Sequence, residues 1–382
     1  MKMDFNLNDE QKMMRQVAAE IADEQLAPKA EEMEENREIP GELLAFLAEQ
    51  GYFGMFLPER YGGAELDFAT YALTIEEFSR GSPAVALVVS VQNALVGKPI
   101  LTYGTEGQKE KYLARVASGE LLGAFSITEE DAGSDAANVQ TTAAKKDGGY
   151  VLNGRKLYVT NAGFAGLFLV VASTDPAAGG KGLSCFLVER DAPGFTVGER
   201  FDGMGMRALD VRRLEFKNCE VPADALLGAE GEGLKIALAS LDGSRIGVGA
   251  QAVGIGQQAF NEAKKYAGER EQFGRPILSF QAIQFYLVEM ATRLEAARFL
   301  TLRAATLADA GEPFSAEAAM AKLYASEAAN FCANLGVQIH GGYGYMKDYV
   351  VERFFRDARV TEIYEGTSEV QKLVIAGKLL KG

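Results

Sequence analysis

The stretch Tyr150-Val151-Leu152-Asn153-Gly154-Arg155-Lys156-Leu157-Tyr158-Val159-Thr160 decides the fold. On both sides of it apolar residues recur at helical intervals. Within it, β-branched and aromatic residues crowd into two short runs around Asn-Gly, a pair that tolerates the positive φ values of a tight hairpin turn. The pattern predicts a hairpin turning at Asn153-Gly154. Similar runs follow at Phe168–Val171, Cys185–Val188 and Leu214–Phe216, with turns at Gly179-Gly180-Lys181-Gly182 and Ala192-Pro193-Gly194. An all-β module over 121–230 is expected.

The flanks are helical. In 1–120, Asn8-Asp9-Glu10 reads as a cap, and Met13, Val17, Ile21 and Leu26 follow at near-helical spacing. Pro40 opens a short helix through Leu43, Leu44 and Leu47 that stops at Gly51. Pro58 and Gly62-Gly63 form a turn. Helix resumes from 68 to 117, broken near Gly81-Ser82-Pro83 and Gly104. The block 231–382 is Ala-rich, with long helical patterns at 234–267, 280–310 and 315–339 and a shorter one at the end. The fold class is therefore α+β and multidomain: an N-terminal helical domain (1–120), a central β-barrel- or sandwich-like domain (121–230) and a C-terminal four-helix bundle (231–382).

Composition narrows the function. The 382 residues carry 53 acidic and 39 basic side chains, a net charge of −14 that would repel nucleic acid and anionic membranes alike. No apolar run is long enough to suggest a membrane span. With one histidine, His340, and three scattered cysteines, Cys185, Cys219 and Cys332, no ordinary zinc site can be assembled. The low cysteine count, and an N-terminus Met1-Lys2-Met3-Asp4-Phe5 without an apolar leader core, point to the cytoplasm.

Several motifs mislead. Gly247-x-Gly249-x-x-Ala252, Gly254-x-Gly256-x-x-Ala259 and Gly203-x-Gly205-x-x-Ala208 match a loose dinucleotide fingerprint. The first two lie inside a helical pattern, where small residues permit close packing; the third lies in the β block. None has the strand-turn-helix setting the fingerprint needs. Glu129, Glu130 and Asp131 read as a solvated acidic loop. His340, before Gly341-Gly342, reads as a helix-end cation or a packed imidazole.

Four segments carry a resemblance: Ile127-Thr128-Glu129-Glu130-Asp131-Ala132-Gly133-Ser134-Asp135, Val159-Thr160-Asn161, Arg270-Glu271-Gln272-Phe273-Gly274-Arg275-Pro276-Ile277 and Ile363-Tyr364-Glu365-Gly366-Thr367. In this order, within an α–β–α composition, they resemble the acyl-CoA dehydrogenase family, including its short- and medium-chain, butyryl-CoA dehydrogenase-like members. The resemblance implies an FAD flavoprotein that converts an acyl-CoA thioester to a 2-enoyl-CoA. A carboxylate takes the α-proton, the β-hydride passes to flavin N5, and electrons go on to electron-transferring flavoprotein. It also implies a role in fatty acid metabolism and a homotetramer built as a dimer of dimers. An oxidase that uses oxygen, and a non-catalytic flavin- or CoA-binding protein, are the rival readings.

The resemblance carries over residue by residue. Glu365 matches the family's base. On the residues alone, Glu365 stands just before a helix whose start Ser368 and Gln371 could cap as a box. The helix dipole would keep it ionised while burial would raise its pKa. Some relatives place the base two residues after the Asp of an L-D-x-x-R segment; here Leu241-Asp242-Gly243-Ser244-Arg245 puts Ser244 there, which cannot serve. The flavin would meet Phe125, Ile127, Thr128, Gly133 and Ser134, with Tyr158, where relatives often have Trp, and Thr160 on the far face and N5 edge. Arg270, Phe273 and Gln281 resemble contacts to a neighbouring subunit's FAD; Gln338, Gly341 and Gly342 resemble adenine-side contacts. Thr367 and Glu369, the latter often Gln, match further FAD contacts. Ser134, Asp242, Ser244, Arg245, Tyr364 and Gly366 are the substrate-side matches, and the main-chain N–H of Glu365 would polarise the thioester carbonyl. Taken alone, Gly133 reads as an ordinary turn and Arg270 as a solvated charge. Lys378 stands where relatives often carry Arg. The acyl pocket should involve the helix from Val88 to Pro99, including Gln92 and Val96, and residues 240–250; a short, branched or alicyclic acyl group is expected.

Overall fold

The structure, a computed structural model, describes residues 6–380; the stretch Met1-Lys2-Met3-Asp4-Phe5 read above lies outside the described residues. Helix α1 (Asp9–Ile21) begins with the expected cap. Asn8 Oδ1 accepts from Gln11 N at 2.8 Å and Gln11 Oε1 from Asn8 N at 3.1 Å. Its apolar stripe is only half used, because Met13 and Val17 are exposed while Ile21 and Leu26 are buried. The early turns are held to the rest of the protein by Arg15, which donates to Glu77 at 2.8 Å, rather than by the stripe. Then come α2 (Ala30–Asn36), α3 (Gly41–Glu49), α4 (Phe68–Gly81), α5 (Pro83–Ser90), α6 (Lys98–Tyr103) and α7 (Glu106–Ala117). A π-helical turn, Val91–Gly97, joins α5 to α6. The joined rod Pro83–Tyr103 differs from expectation: by length and composition it could cross a membrane, yet 89% of its most apolar window is buried inside the protein, as in a core helix.

The central sheet contains β1 (Gly123–Ser126), β2 (Thr142–Lys146), β3 (Gly149–Thr160), β4 (Leu167–Ser173), β5 (Leu183–Glu189), β6 (Phe195–Arg200), β7 (Val211–Pro222) and β8 (Leu226–Leu227). The order is β6-β7-β3-β2-β4-β5-β8, with β1 parallel to β4. The hairpin expected at Asn153-Gly154 is absent. β3 runs straight through, and these residues form a bulge opposite β7, with Gly154 at φ +149°. A Cβ there would lie 2.4 Å from Thr141 Oγ1, so glycine answers a close backbone approach rather than a turn. The chain reverses at Asp147-Gly148 instead, between β2 and β3. β4 is buried on both faces: Leu167 and Leu169 join the large helical core, while Phe168 and Val170 join a second core inside the β module.

Helix α8 (Gly233–Glu269) follows, then the small hairpin β9 (Glu271–Gln272) and β10 (Arg275–Pro276), α9 (Gln281–Asp309), α10 (Ser315–His340), α11 (Val351–Val360) and α12 (Ser368–Leu379). α11 was not foreseen. The glycines of α8 work as spacers. A Cβ on Gly247 would lie 2.2 Å from the Tyr71 hydroxyl, and one on Gly254 would lie 2.2 Å from the Glu76 carbonyl of α4. Close approach of α4 to α8 makes one core from Ala18 to Ala358, shared by the N- and C-terminal helices.

Candidate active site

The base candidate sits on a loop held open by its neighbours. Glu365 has φ +53° and Gly366 φ +95°. The first is a left-handed conformation that costs a non-glycine residue about 1–2 kcal/mol. Side chains from three helices grip the loop's carbonyls. Arg245 Nε of α8 donates to Glu365 O at 3.4 Å, and Lys322 Nζ of α10 donates to Gly366 O at 2.8 Å. Gln371 Nε2 of α12 donates to Glu365 O at 3.1 Å and Gly366 O at 2.8 Å. The expected Ser368–Gln371 capping box is therefore not formed. Thr367 is the N-cap, accepting from Val370 N at 3.3 Å, one residue earlier than expected, because Gln371 is committed to the loop.

The carboxylate faces a sparse environment. Glu365 Oε2 is buried without a hydrogen-bond partner, as is Ser244 Oγ. Burial pushes the Glu365 carboxyl up to about 6, against the nearby Ser244 hydroxyl and the charges of Arg245 and Lys322. Ser244 is thus near the carboxylate, though the two make no well-formed hydrogen bond. Asp242 Oδ1 accepts from Arg245 Nη1 at 2.6 Å. Burial raises the Asp242 carboxyl, opposed by Arg245, Ser315 and Lys378, so Lys378 faces this corner of the site. The Tyr364 hydroxyl donates to Gln251 Oε1, and Gln251 Nε2 donates to Pro83 O at 2.8 Å, tying the loop to the start of α5. Gln92, expected in the acyl pocket, is occupied elsewhere: its amide bonds Val116 O, Leu121 O and Gly123 N, fastening the π-helical turn to β1.

A second group gathers on the β module. Phe125, Ile127, Thr128 and Thr160 are half-buried. Thr128 O accepts from Leu157 N at 2.9 Å, and Ile127 O from Lys156 Nζ at 3.1 Å. Tyr158, at φ +55°, presents a ring that is 61% exposed and 4.8 Å from Phe201. Gly133 and Ser134 stand on an exposed loop, with open space where a Gly133 Cβ would be. Ser126 Oγ and Asn161 Oδ1, at the ends of β1 and β3, are buried without partners. An exposed aromatic face, two orphaned polar atoms and an uncrowded loop are what a flat, polar-edged flavin requires.

The acidic cluster corrects an expectation. Glu130 and Asp131 are exposed, but Glu129 is buried. Its carboxylate accepts from Lys156 Nζ at 2.6 Å and from Gln140 N at 2.6 Å, with Thr141 N at 3.1 Å. Burial pushes the Glu129 carboxyl up, but Lys156 and these donors outweigh it and hold it below its ordinary value. The signal was Lys156 itself, an inward-phased charge between Gly154 and Leu157 that demands a buried partner.

A third group stands apart. Arg270 ends α8, Phe273 (94% exposed, φ +54°) tips the β9–β10 hairpin, and Gln281 begins α9. Arg270 lies 5.5 Å from the Tyr343 ring, beside Gln338, Gly341 and Gly342 at the end of α10. Among the described residues, no hydrogen bond or ring contact joins this group to Glu365 or Tyr158. Thr367 is half-buried and Glu369 exposed. His340 is a packed imidazole rather than a cation: it stacks on Tyr266 at 4.2 Å, donates from Nδ1 to Gly336 O at 2.8 Å, and burial lowers its pKa. Lys322 and Gln251 escaped the sequence reading, and Gln371 entered it as a cap rather than as a support of the Glu365 loop. Of the first two, only Lys322 left a trace, as a lone charge in the Ala-rich face of α10.

Comparison with known proteins agrees. Family models for the acyl-CoA dehydrogenase N-terminal, middle and C-terminal domains match residues 8–120, 124–219 and 231–380. An acyl-CoA dehydrogenase of Bacillus subtilis (strain 168) is 48% identical over 99% of this chain and 100% of its own. A solved chain from a study of the electron transferring flavoprotein of Acidaminococcus fermentans is 46% identical, covers 100% of both chains and superimposes with a TM-score of 0.98. Butyryl-CoA dehydrogenase from Megasphaera elsdenii is 43% identical over 99% of this chain and 100% of its own, with a TM-score of 0.97. The chain belongs to the acyl-CoA dehydrogenase family.

Proposed function

We propose that this oxidoreductase dehydrogenates an acyl-CoA thioester between its α- and β-carbons, with Glu365 as the base. The observation that carries this is a buried, unpartnered carboxylate oxygen on a loop fixed by Arg245, Lys322 and Gln371. A base with a pKa of about 6 is ionised at neutral pH yet far more basic than a free carboxylate. An acyl chain lying over Glu365 would exclude water and raise that basicity further. Because the grip falls on backbone carbonyls, the carboxylate is aimed while its Oε2 stays free to take the α-proton.

The cofactor is FAD, which supplies hydride acceptance at N5. Phe125, Ile127, Thr128, Gly133, Ser134, Tyr158 and Thr160 would hold its flavin and pyrophosphate, with Thr367 and Glu369 beside the base. On the substrate side, Asp242 and Arg245 would orient the CoA arm, with Ser134 near it. Ser244, Tyr364 and Gly366 would line the reacting end, and the Glu365 N–H would polarise the carbonyl. Arg270, Phe273 and Gln281 make no hydrogen bond or ring contact with Glu365 or Tyr158 among the described residues, which supports their contacting a neighbouring subunit's FAD in a homotetramer, with Gln338, Gly341 and Gly342 on the adenine side; each chain would divide into domains at 1–120, 121–230 and 231–382. Electron-transferring flavoprotein is the proposed acceptor and the cytoplasm the proposed compartment, in fatty acid metabolism.

The Glu365→Gln variant tests the base. It should bind FAD and acyl-CoA but lose flavin reduction by several orders of magnitude in stopped-flow measurements; reduction at the native rate would overturn the assignment.

A further inference from the structure

Lys322 is an unusual use of a charge. It lies on the inner face of α10 among Ala318, Ala319, Ala321 and Ala325, and it is fully buried. Buried ammonium groups are normally paired with a carboxylate. Lys322 makes no ion pair among the described residues; its Nζ donates to the carbonyl of Gly366, next to the base. The cost of burying it is therefore offset not by a partner of its own but by the field of the loop it holds. Burial lowers its pKa to about 8, and Glu365 is the foremost group opposing that shift.

Resting on Glu365 as the base, we propose that Lys322 is a positioning residue: it fixes the strained turn at Glu365-Gly366 by its bond to the Gly366 carbonyl, and its charge keeps Glu365 ionised at neutral pH. The other elements around the carboxylate bring one further positive charge, Arg245, which also favours the ionised form of Glu365. Arg245 of α8 is paired with Asp242 at 2.6 Å. Ser244 of α8 is uncharged. Tyr71 of α4 is committed to Ser90 at 2.7 Å, and Tyr364 to Gln251. Asp357 of α11, Glu362 on the loop and Glu369 of α12 are acids, which oppose ionisation of Glu365. Glu362 is paired with Arg359, and Glu369 is exposed. Of the two positive charges that favour ionised Glu365, Lys322 is thus the one without a carboxylate in ion-pair contact among the described residues.

The consequences follow from linkage. Removing the charge raises the pKa of Glu365, so less base is available near pH 6 but all of it is restored at alkaline pH. A purely structural lysine would lower the rate equally at every pH.

Lys322→Met and Lys322→Gln are made in the FAD-loaded enzyme, the second being smaller, neutral and still a donor. The pH profile of flavin reduction should move up by at least one unit in both variants, with about a five- to tenfold loss at pH 6 that disappears by pH 9. An unmoved profile overturns the proposal even if the rate falls. A readout independent of turnover is the stability gained on Glu365→Gln, measured against pH with and without Lys322→Met. That gain should keep rising to a pH at least one unit higher when Lys322 is Met; coincident curves overturn the proposal. If neither Lys322 variant folds, the unmutated chain still answers. The ¹³C carboxyl resonance of Glu365, assigned by its loss in Glu365→Gln, should show a second step near pH 8 as Lys322 loses its proton. A single step overturns the proposal. Native flavin chemistry with these signatures missing rejects Lys322 alone, whereas absence of thioester-dependent reduction in the unmutated enzyme rejects the dehydrogenase reading.

Discussion

Glu365 places function and stability in opposition. Its pKa is raised from an ordinary 4.5 to about 6, so the folded chain binds more protons than the unfolded chain between these values. Stability from this group is therefore highest below pH 4.5, falls as pH rises to about 6, and stays about 2 kcal/mol lower above that. Glu365→Gln should raise stability by about that amount at pH 7.5 and by almost nothing at pH 4, in urea titrations of the apoprotein. A neutral-pH variant less stable than the parent would contradict the burial of the charge. The same shift predicts that flavin reduction rises with pH through about 6 and then levels off. The Glu129–Lys156 pair behaves oppositely, since both members are buried and bonded. Lys156→Met alone should cost about 3–5 kcal/mol by leaving Glu129 unpaired, while replacing both with apolar residues of similar volume should recover much of the loss. At this scale Glu365 was legible because its tetrapeptide is distinctive. Glu129 was not, because three adjacent acids look solvated and only the strand phase of Lys156 reveals a partner.

At the scale of elements, breaks were easier to read than pairings. Pro40, Gly51, Gly81-Ser82-Pro83 and Gly104 end or start helices for local reasons, and the structure places the boundaries there. Asn153-Gly154 failed because the same dipeptide serves a bulge, and the choice is made by Thr141 on a neighbouring segment rather than by local preference. The glycines of α8 show why context reverses a rule. In an exposed helix, Gly→Ala gains about 1 kcal/mol. At Gly254 the new methyl would stand 2.2 Å from the Glu76 carbonyl, so Gly254→Ala should lower stability by about 1–3 kcal/mol in denaturant. At Gly268, where nothing lies within 4 Å, the same change should be neutral or stabilising. Equal effects at the two sites would contradict close packing of α4 on α8.

For the whole molecule, the α–β–α order was plain in the composition, but the shared core was not. The N- and C-terminal helices, far apart in sequence, make one hydrophobic unit through α4 and α8, with the sheet packed against it through Leu167, Leu169 and Leu187. Non-local packing of this kind leaves no periodic trace in either segment. One protomer holds Glu365 and the Tyr158 group, whereas Phe273 projects into solvent on its own hairpin. Sedimentation of the FAD-loaded protein should therefore give a mass of four chains, and Phe273→Ala with Arg270→Ala should weaken FAD retention without altering Glu365. A monomer that keeps FAD would contradict the shared site. The most direct test of the central claim is an anaerobic visible spectrum of the FAD-loaded protein, titrated with straight, branched, cyclic and dicarboxylyl CoA thioesters. A short or branched ester should bleach the oxidised flavin band with formation of the enoyl-CoA. A flavin band that no thioester bleaches, or a protein that takes up no flavin on reconstitution, would contradict it.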